Sequence, residues 1–110
     1  SFMDTYFTYI TTNPKRTVLY TGMTNDLATR LVEHFTNRGN SKTFAGRYYC
    51  YFLVHFETFA RPIHAIDREK EIKRMSRKQK EQLIDTSNPK RYFLNNQIML
   101  WPPHQDQGHR

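Results

Sequence analysis

The apolar positions of this chain change their period several times, and each change marks an element. Residues 5–11 are β-branched or aromatic throughout and predict a strand. Asn13-Pro14, within residues 12–16, signals a turn. Residues 17–23 predict the returning strand, so the two make an antiparallel hairpin. After Asn25-Asp26, a helix cap, the period becomes helical as far as about Asn37. Leu27, Leu31 and Phe35 recur there every four residues, with Ala28 and Val32 beside them. Residues 38–46 read as a loop of small residues. Residues 47–57 are mostly apolar and predict a third strand, either central or covered on both faces. Pro62 opens a helix to about Met75, and Ser76 caps another over 77–86 that Asn88-Pro89 ends. Residues 90–100 carry enough apolar side chains to dock on the body without declaring a local structure. The order β-β-α-β-α-α is that of an α/β protein of the α+β type.

At 110 residues the chain has room for one domain, predicted over 4–100. Ser1-Phe2 ahead of Met3 reads as an added leader, with Met3 the natural start, and 101–110 as a flexible polar tail. Eight Phe and seven Tyr exclude a disordered chain. The longest apolar run, Tyr48 to Val54, is too short to cross a bilayer, and no secretory signal opens the chain. The lone Cys50 allows no internal disulfide and reads as core, so a reducing cytoplasm is the expected compartment.

Charge narrows the partner. The formal net charge is +7, which suits a polyanion, nucleic acid first among them. Lys73, Arg74, Arg77, Lys78 and Lys80 follow one another with no acid between them, and Arg38, Lys42 and Arg47 surround the middle loop. These eight are the candidate contacts to a nucleic-acid backbone.

Several residues sit where folding alone does not ask for them. Glu69 falls within the stripe made by Pro62, Ala65, Ile66 and Ile72. A carboxylate there either pairs, with Lys73 one turn on, or binds a metal. Arg30 and His34 lie one turn apart beside the Leu27–Leu31 stripe; they can meet a phosphate together or form a solvated face. Strand alternation puts Tyr9 and Tyr20 within reach of one sheet face, as a site or as packing. Gly22 permits a close approach beside them.

Taken together, the spacing resembles the GIY-YIG nuclease family. Phe7-Thr8-Tyr9 stands for its first motif and Tyr20-Thr21-Gly22 for its second, followed by Arg30, His34 and the helical Glu69. Leu19 to His34 and Ala65 to Lys73 are similar to short single-domain bacterial members, which are themselves similar to the N-terminal nuclease domain of an excinuclease. The likeness runs over about residues 6–90; Phe7, Thr8 and Thr21 depart from the Gly, Ile and Ile of the family's name. It implies a three-stranded antiparallel sheet flanked by helices. It also implies cleavage of DNA phosphodiesters with one divalent cation, Mg²⁺ or Mn²⁺. By position, Tyr9 and Tyr20 lie beside the scissile phosphate, Tyr20 nearest the attacking group. Arg30 steadies the phosphate charge, His34 assists as base or phosphate contact, and Glu69 holds the metal. Asn88 is the candidate for the family's late Asn, with Asn95 the runner-up.

The chemistry suits those residue types. One carboxylate with waters and phosphate is a common Mg²⁺ site. Free tyrosine has a pKa of about 10, so Tyr20 needs the metal or Arg30 to act as a base, and water is the expected nucleophile. No module for reading base sequence is present, so the expected substrate is a branched, nicked or flapped DNA. The rival readings are a nucleic-acid binding module with little cleavage and a generic interaction protein.

Overall fold

The computed structural model describes residues 4–103. Its elements are β1 (Tyr6–Thr12), β2 (Leu19–Thr24), α1 (Leu27–Thr36), α2 (Phe44–Arg47), β3 (Phe52–Phe59), α3 (Pro62–Lys73), α4 (Arg77–Ser87) and α5 (Asn95–Ile98). The strands form one antiparallel sheet in the order β2-β1-β3. This is the expected α+β architecture with two short helices, α2 and α5, added to it.

Adjacent residues on a strand face opposite ways, so Tyr9 and Ile10 of the middle strand seed two cores. Tyr9 packs with Leu27 and Leu31 of α1 and Leu53 of β3. Ile10 packs with Val54 and with Ile72 and Ile84 from α3 and α4. The threonines of β1 disguise its burial. Thr8 Oγ1 donates to Ala65 O at 2.7 Å and Thr12 Oγ1 to Val18 O at 2.7 Å, which offsets the cost of taking hydroxyls out of water. β3 is therefore not central. It is an edge strand covered on both faces, because Leu53 and Val54 enter opposite cores.

β3 begins at Phe52, later than the apolar run predicts. Tyr49 takes φ 61°, a left-handed conformation foreign to a strand. The run is apolar because its rings pack on other elements. Tyr51 meets Phe35 edge-on at 5.1 Å and Phe52 stacks on Phe93 at 3.9 Å. A bulge then sets His55 opposite Ile10 and Leu53 opposite Thr11, with Val54 as the extra residue. His55 joins Ser87 Oγ and Glu57 Oε2, each at 2.7 Å, and Arg68 donates to both oxygens of Glu57 at 2.9 and 3.1 Å. This network ties the edge strand to α3 and α4.

The hairpin loop runs to residue 18, because Asn13 Oδ1 accepts from Thr17 N at 2.8 Å and Val18 N at 3.0 Å. At the other end, Trp101 packs on Phe35 at 5.3 Å, so the packed body reaches at least that residue. Residues 1–3 and 104–110, expected as leader and tail, lie outside the described residues. Among the described residues, no helix is long and apolar enough to cross a membrane. Cys50 is buried, as expected of a core thiol, and burial pushes it up to about 11.

Candidate active site at the edge of the hairpin

Gly22 faces Tyr9 across the β1–β2 ladder. A Cβ on Gly22 would lie 2.6 Å from Tyr9 Cζ and 2.9 Å from Cε1. The Tyr9 ring thus occupies the space a side chain would fill, and lies across β2 within the core. Tyr20 lies on the same face, its ring centroid 6.3 Å from that of Tyr9.

Helix α1 supplies the next two groups. Asp26 caps it, Oδ1 accepting from Thr29 N at 3.0 Å. Leu27 and Leu31 point into the core, which leaves Arg30 and His34 on the flank towards the tyrosines. His34 Nε2 lies 2.9 Å from Tyr9 Oη, and its ring meets Tyr20 edge-on at 5.3 Å. Burial, with the Arg30 charge adding to it, pushes His34 down to about 4. The imidazole is therefore neutral at pH 7. Tyr9 is raised far above the usual tyrosine value. Burial is the main cause, and neighbouring Tyr20 and the Glu69 carboxylate add to it while the Arg30 guanidinium opposes. Arg30 Nε also pairs with Glu33 at 3.1 Å.

The low His34 value has a consequence for stability. A histidine buried neutral contributes stability that is complete above its unfolded value near 6.5 and is lost as pH falls towards about 4. Denaturant titrations at pH 7, 6, 5 and 4.5 should show the wild type losing about 2 kcal/mol more than His34→Asn by the lowest pH. Parallel curves for the two proteins would refute the burial of a neutral imidazole.

Glu69 joins this group from α3. Its side chain is only 22% exposed, and Oε2 pairs with Lys73 Nζ at 3.2 Å. Pairing with Lys73 is thus realised, and the carboxylate still stands close enough to Tyr9 to be felt there. Among the described residues, no three His, Cys, Asp or Glu side chains gather as a ready-made metal cage. A lone half-buried carboxylate still fits Mg²⁺, which keeps most of its waters.

The other candidate residues are distributed as follows. Arg38 lies over the Phe35 ring at 3.7 Å, and Arg47 donates to Ser41 O at 3.2 Å. Arg77 pairs with Glu81 at 2.6 Å and donates to Thr17 O at 3.0 Å, stapling α4 to the hairpin loop. Lys42, Arg74 and Lys78 are exposed and Lys80 is half-buried. Asn88 is not brought to the site. Its amide Nδ2 donates to Val54 O at 3.0 Å and Tyr92 O at 2.8 Å, and Oδ1 accepts from Tyr92 N at 3.0 Å. The side chain is consumed in holding the chain after α4. Asn95 is likewise spent, accepting from Leu53 N at 2.7 Å and donating to Tyr51 O at 3.0 Å.

The wall of the site is absent from the sequence reading. Thr43 caps α2, its Oγ1 accepting from Gly46 N at 3.0 Å. Phe44, the first residue of α2, stacks on Tyr20 with centroids 6.2 Å apart. A cavity of about 200 Å³ lies between α2 and α1, lined by Tyr20, Arg30, Glu33, His34, Asn37 and Phe44 among others. The Thr43…Gly46 spacing is the available signal, but a one-turn helix gives no period.

Known proteins resemble this chain over most of its described length. The family model of the GIY-YIG catalytic domain matches residues 5–92. A UPF0213 protein of Haloquadratum walsbyi is 43% identical over 67 residues, 61% of this chain and 73% of its own. Another, of Bacillus velezensis, is 40% identical over 67 residues, 61% of this chain and 66% of its own. The solution NMR structure of a UPF0213 protein of Bacillus halodurans is 29% identical, with a TM-score of 0.48, covering 90% of this chain and 99% of its own. The extent of the family match and the identity to the Haloquadratum walsbyi protein lead to one assignment: the chain belongs to the GIY-YIG family of nuclease-type catalytic domains.

Proposed function

We propose that the protein is a metal-dependent DNA endonuclease, selective for DNA structure, with Tyr9, Tyr20, Arg30, His34 and Glu69 as its catalytic groups. The observation that supports this reading is the packing of Tyr9, Tyr20 and His34 rings within 5.3 to 6.3 Å of one another, where the charges of Arg30 and Glu69 are also felt. A phosphodiester resists water, so the site must neutralise charge and orient the nucleophile. Arg30 presents a planar fork of donors to the phosphate oxygens. Tyr9 stays a phenol at neutral pH and, with its Oη 2.9 Å from His34 Nε2, holds the imidazole in place beside the phosphate. Tyr20 accepts a proton from the attacking water and relays its own to solvent. The water oxygen bonds to phosphorus, the bond to the leaving oxygen breaks, and that oxygen takes a proton from solvent. Glu69 would hold one Mg²⁺ or Mn²⁺, which when bound polarises a phosphate oxygen and stabilises the leaving one.

Arg38, Lys42 and Arg47 around α2, and Lys73, Arg74, Arg77, Lys78 and Lys80 at the end of α3 and in α4, bind the backbone in this reading. Gly22 serves by giving Tyr9 its place. The test is cleavage of labelled duplex, nicked, flapped and branched DNA with Mg²⁺ or Mn²⁺. Cation-dependent cutting that favours a discontinuous substrate is expected. Binding should weaken at least about tenfold between 50 and 200 mM salt, and salt-independent binding would remove the electrostatic part of the reading. The Lys73–Glu69 pair favours a second reading, a nucleic-acid binding module without cleavage, because it occupies the carboxylate. The pair is partly exposed, and such pairs are worth about 0–1 kcal/mol, too little to keep a divalent cation out. Salt-dependent binding with no cutting of any substrate would establish that second reading.

A further inference from the structure

We infer that the cavity between α1 and α2 receives one unpaired nucleobase next to the scissile phosphate, so that the favoured substrate carries a single-stranded nucleotide at the cut. This rests on the nuclease reading and narrows it from discontinuous DNA in general to DNA with an unpaired base, such as a flap or a single strand.

Phe44 is the first ground. It is 51% exposed, although nothing in the hydrophobic cores needs it there. It is held in place from two sides, by Tyr20 at 6.2 Å and 26° and by Tyr48 at 4.8 Å and 51°. An exposed, fixed aromatic beside a basic surface is how proteins stack bases of single strands. The platform is anchored to α1 by a close backbone approach. A Cβ on Gly46 would lie 2.7 Å from Asn37 O and 2.6 Å from Asn40 O.

The cavity itself is the second ground. At about 200 Å³ it has room for a single base and not for a base pair. Its other wall carries Glu33 and Asn37, which offer acceptors and donors to a base edge. Asn37 has no side-chain hydrogen bond among the described residues, whereas the Asn13, Asn88 and Asn95 amides are all engaged. Tyr20, Arg30 and His34 line the same cavity. A base stacked on Phe44 therefore leaves its own phosphate beside the Arg30 guanidinium. A base inside a duplex cannot enter without leaving its stack, which is cheapest where it is already unpaired. Lys42 and Arg47, in and beside the segment that carries Phe44, supply the charge for the adjoining backbone.

The test is binding of the whole chain, in the presence of a chelator, to a fluorescent single-stranded DNA, its flapped form, its full duplex and the RNA strand of the same sequence. Phe44→Ala should weaken binding to the single strand and flap at least about tenfold and change duplex binding less than about twofold. Phe44→Trp should keep wild-type binding. Thermal melting checks that each variant is folded. Equal losses on all three DNAs, or no loss on any, would overturn the proposal, and so would tighter binding of the RNA strand. Cleavage is read separately in Mg²⁺ or Mn²⁺. If the binding pattern holds and nothing is cut, the nuclease reading fails and the base pocket stands. If duplex and flap are cut equally fast and Phe44→Ala changes neither, the pocket fails and the nuclease reading stands.

Discussion

Glu69→Gln should reduce single-turnover DNA cleavage by about a thousandfold or more, while the protein stays folded. Glu69 contributes little to folding. Its ion-pair partner, Lys73, has a side chain 53% exposed, and such i,i+4 pairs add about 0.3–0.5 kcal/mol. Glutamine keeps the shape and loses only that. The expected loss of catalysis is far larger. A cation at a phosphoryl centre supplies several kcal/mol of transition-state stabilisation, and each 1.36 kcal/mol is about a factor of ten in rate. Arg30→Ala should cost about a hundredfold to a thousandfold, the range for removing one donor from a developing oxyanion. Raising Mg²⁺ should recover part of the Glu69→Gln rate and none of the Arg30→Ala rate. Cleavage within tenfold of wild type in Glu69→Gln would move the metal away from this carboxylate.

How much of this is legible in the sequence depends on how regular each element is. Tyr9, Tyr20, Arg30 and His34 sit on a hairpin and a capped helix, where spacing fixes direction, and all four are readable. The two helices after β3 are readable for the same reason. The sequence starts β3 too early because Tyr48 to Tyr51 are apolar for another purpose, packing the turn after α2, and a hydrophobic run does not say what it packs against. The central strand is hidden by its threonines, and the partner that lets the Thr8 hydroxyl be buried, Ala65 O, lies far along the chain. Asn88 has a plausible position in the sequence, but its amide is committed to Val54 and Tyr92. Only the partners distinguish a free amide from a spent one. Phe44 escapes the sequence because one turn of helix carries no period.

Gly22→Ala should act on stability and on the site together. On a strand, alanine for glycine is normally tolerated and reduces the freedom of the unfolded chain. Here the new methyl would lie 2.6 Å from Tyr9 Cζ. The ring cannot swing away, since Tyr9 is fully buried and packed by Leu27, Leu31 and Leu53. Overpacking of this kind costs about 1–3 kcal/mol. Whatever relief is found must shift the Tyr9 hydroxyl, which now lies 2.9 Å from His34 Nε2. A displacement of about 1 Å at a reacting centre is worth about a hundredfold in rate, so cleavage should fall by that order even in the folded fraction. Neither loss alone identifies the cause, and a double-mutant cycle does. In a Tyr9→Leu background the ring is gone and the methyl has room. The stability penalty of Gly22→Ala, measured by denaturant unfolding at pH 7.5, should then shrink to within about 0.5 kcal/mol of zero. A penalty of equal size in both backgrounds would mean that the strand itself rejects the methyl, and that Gly22 does not set the position of Tyr9.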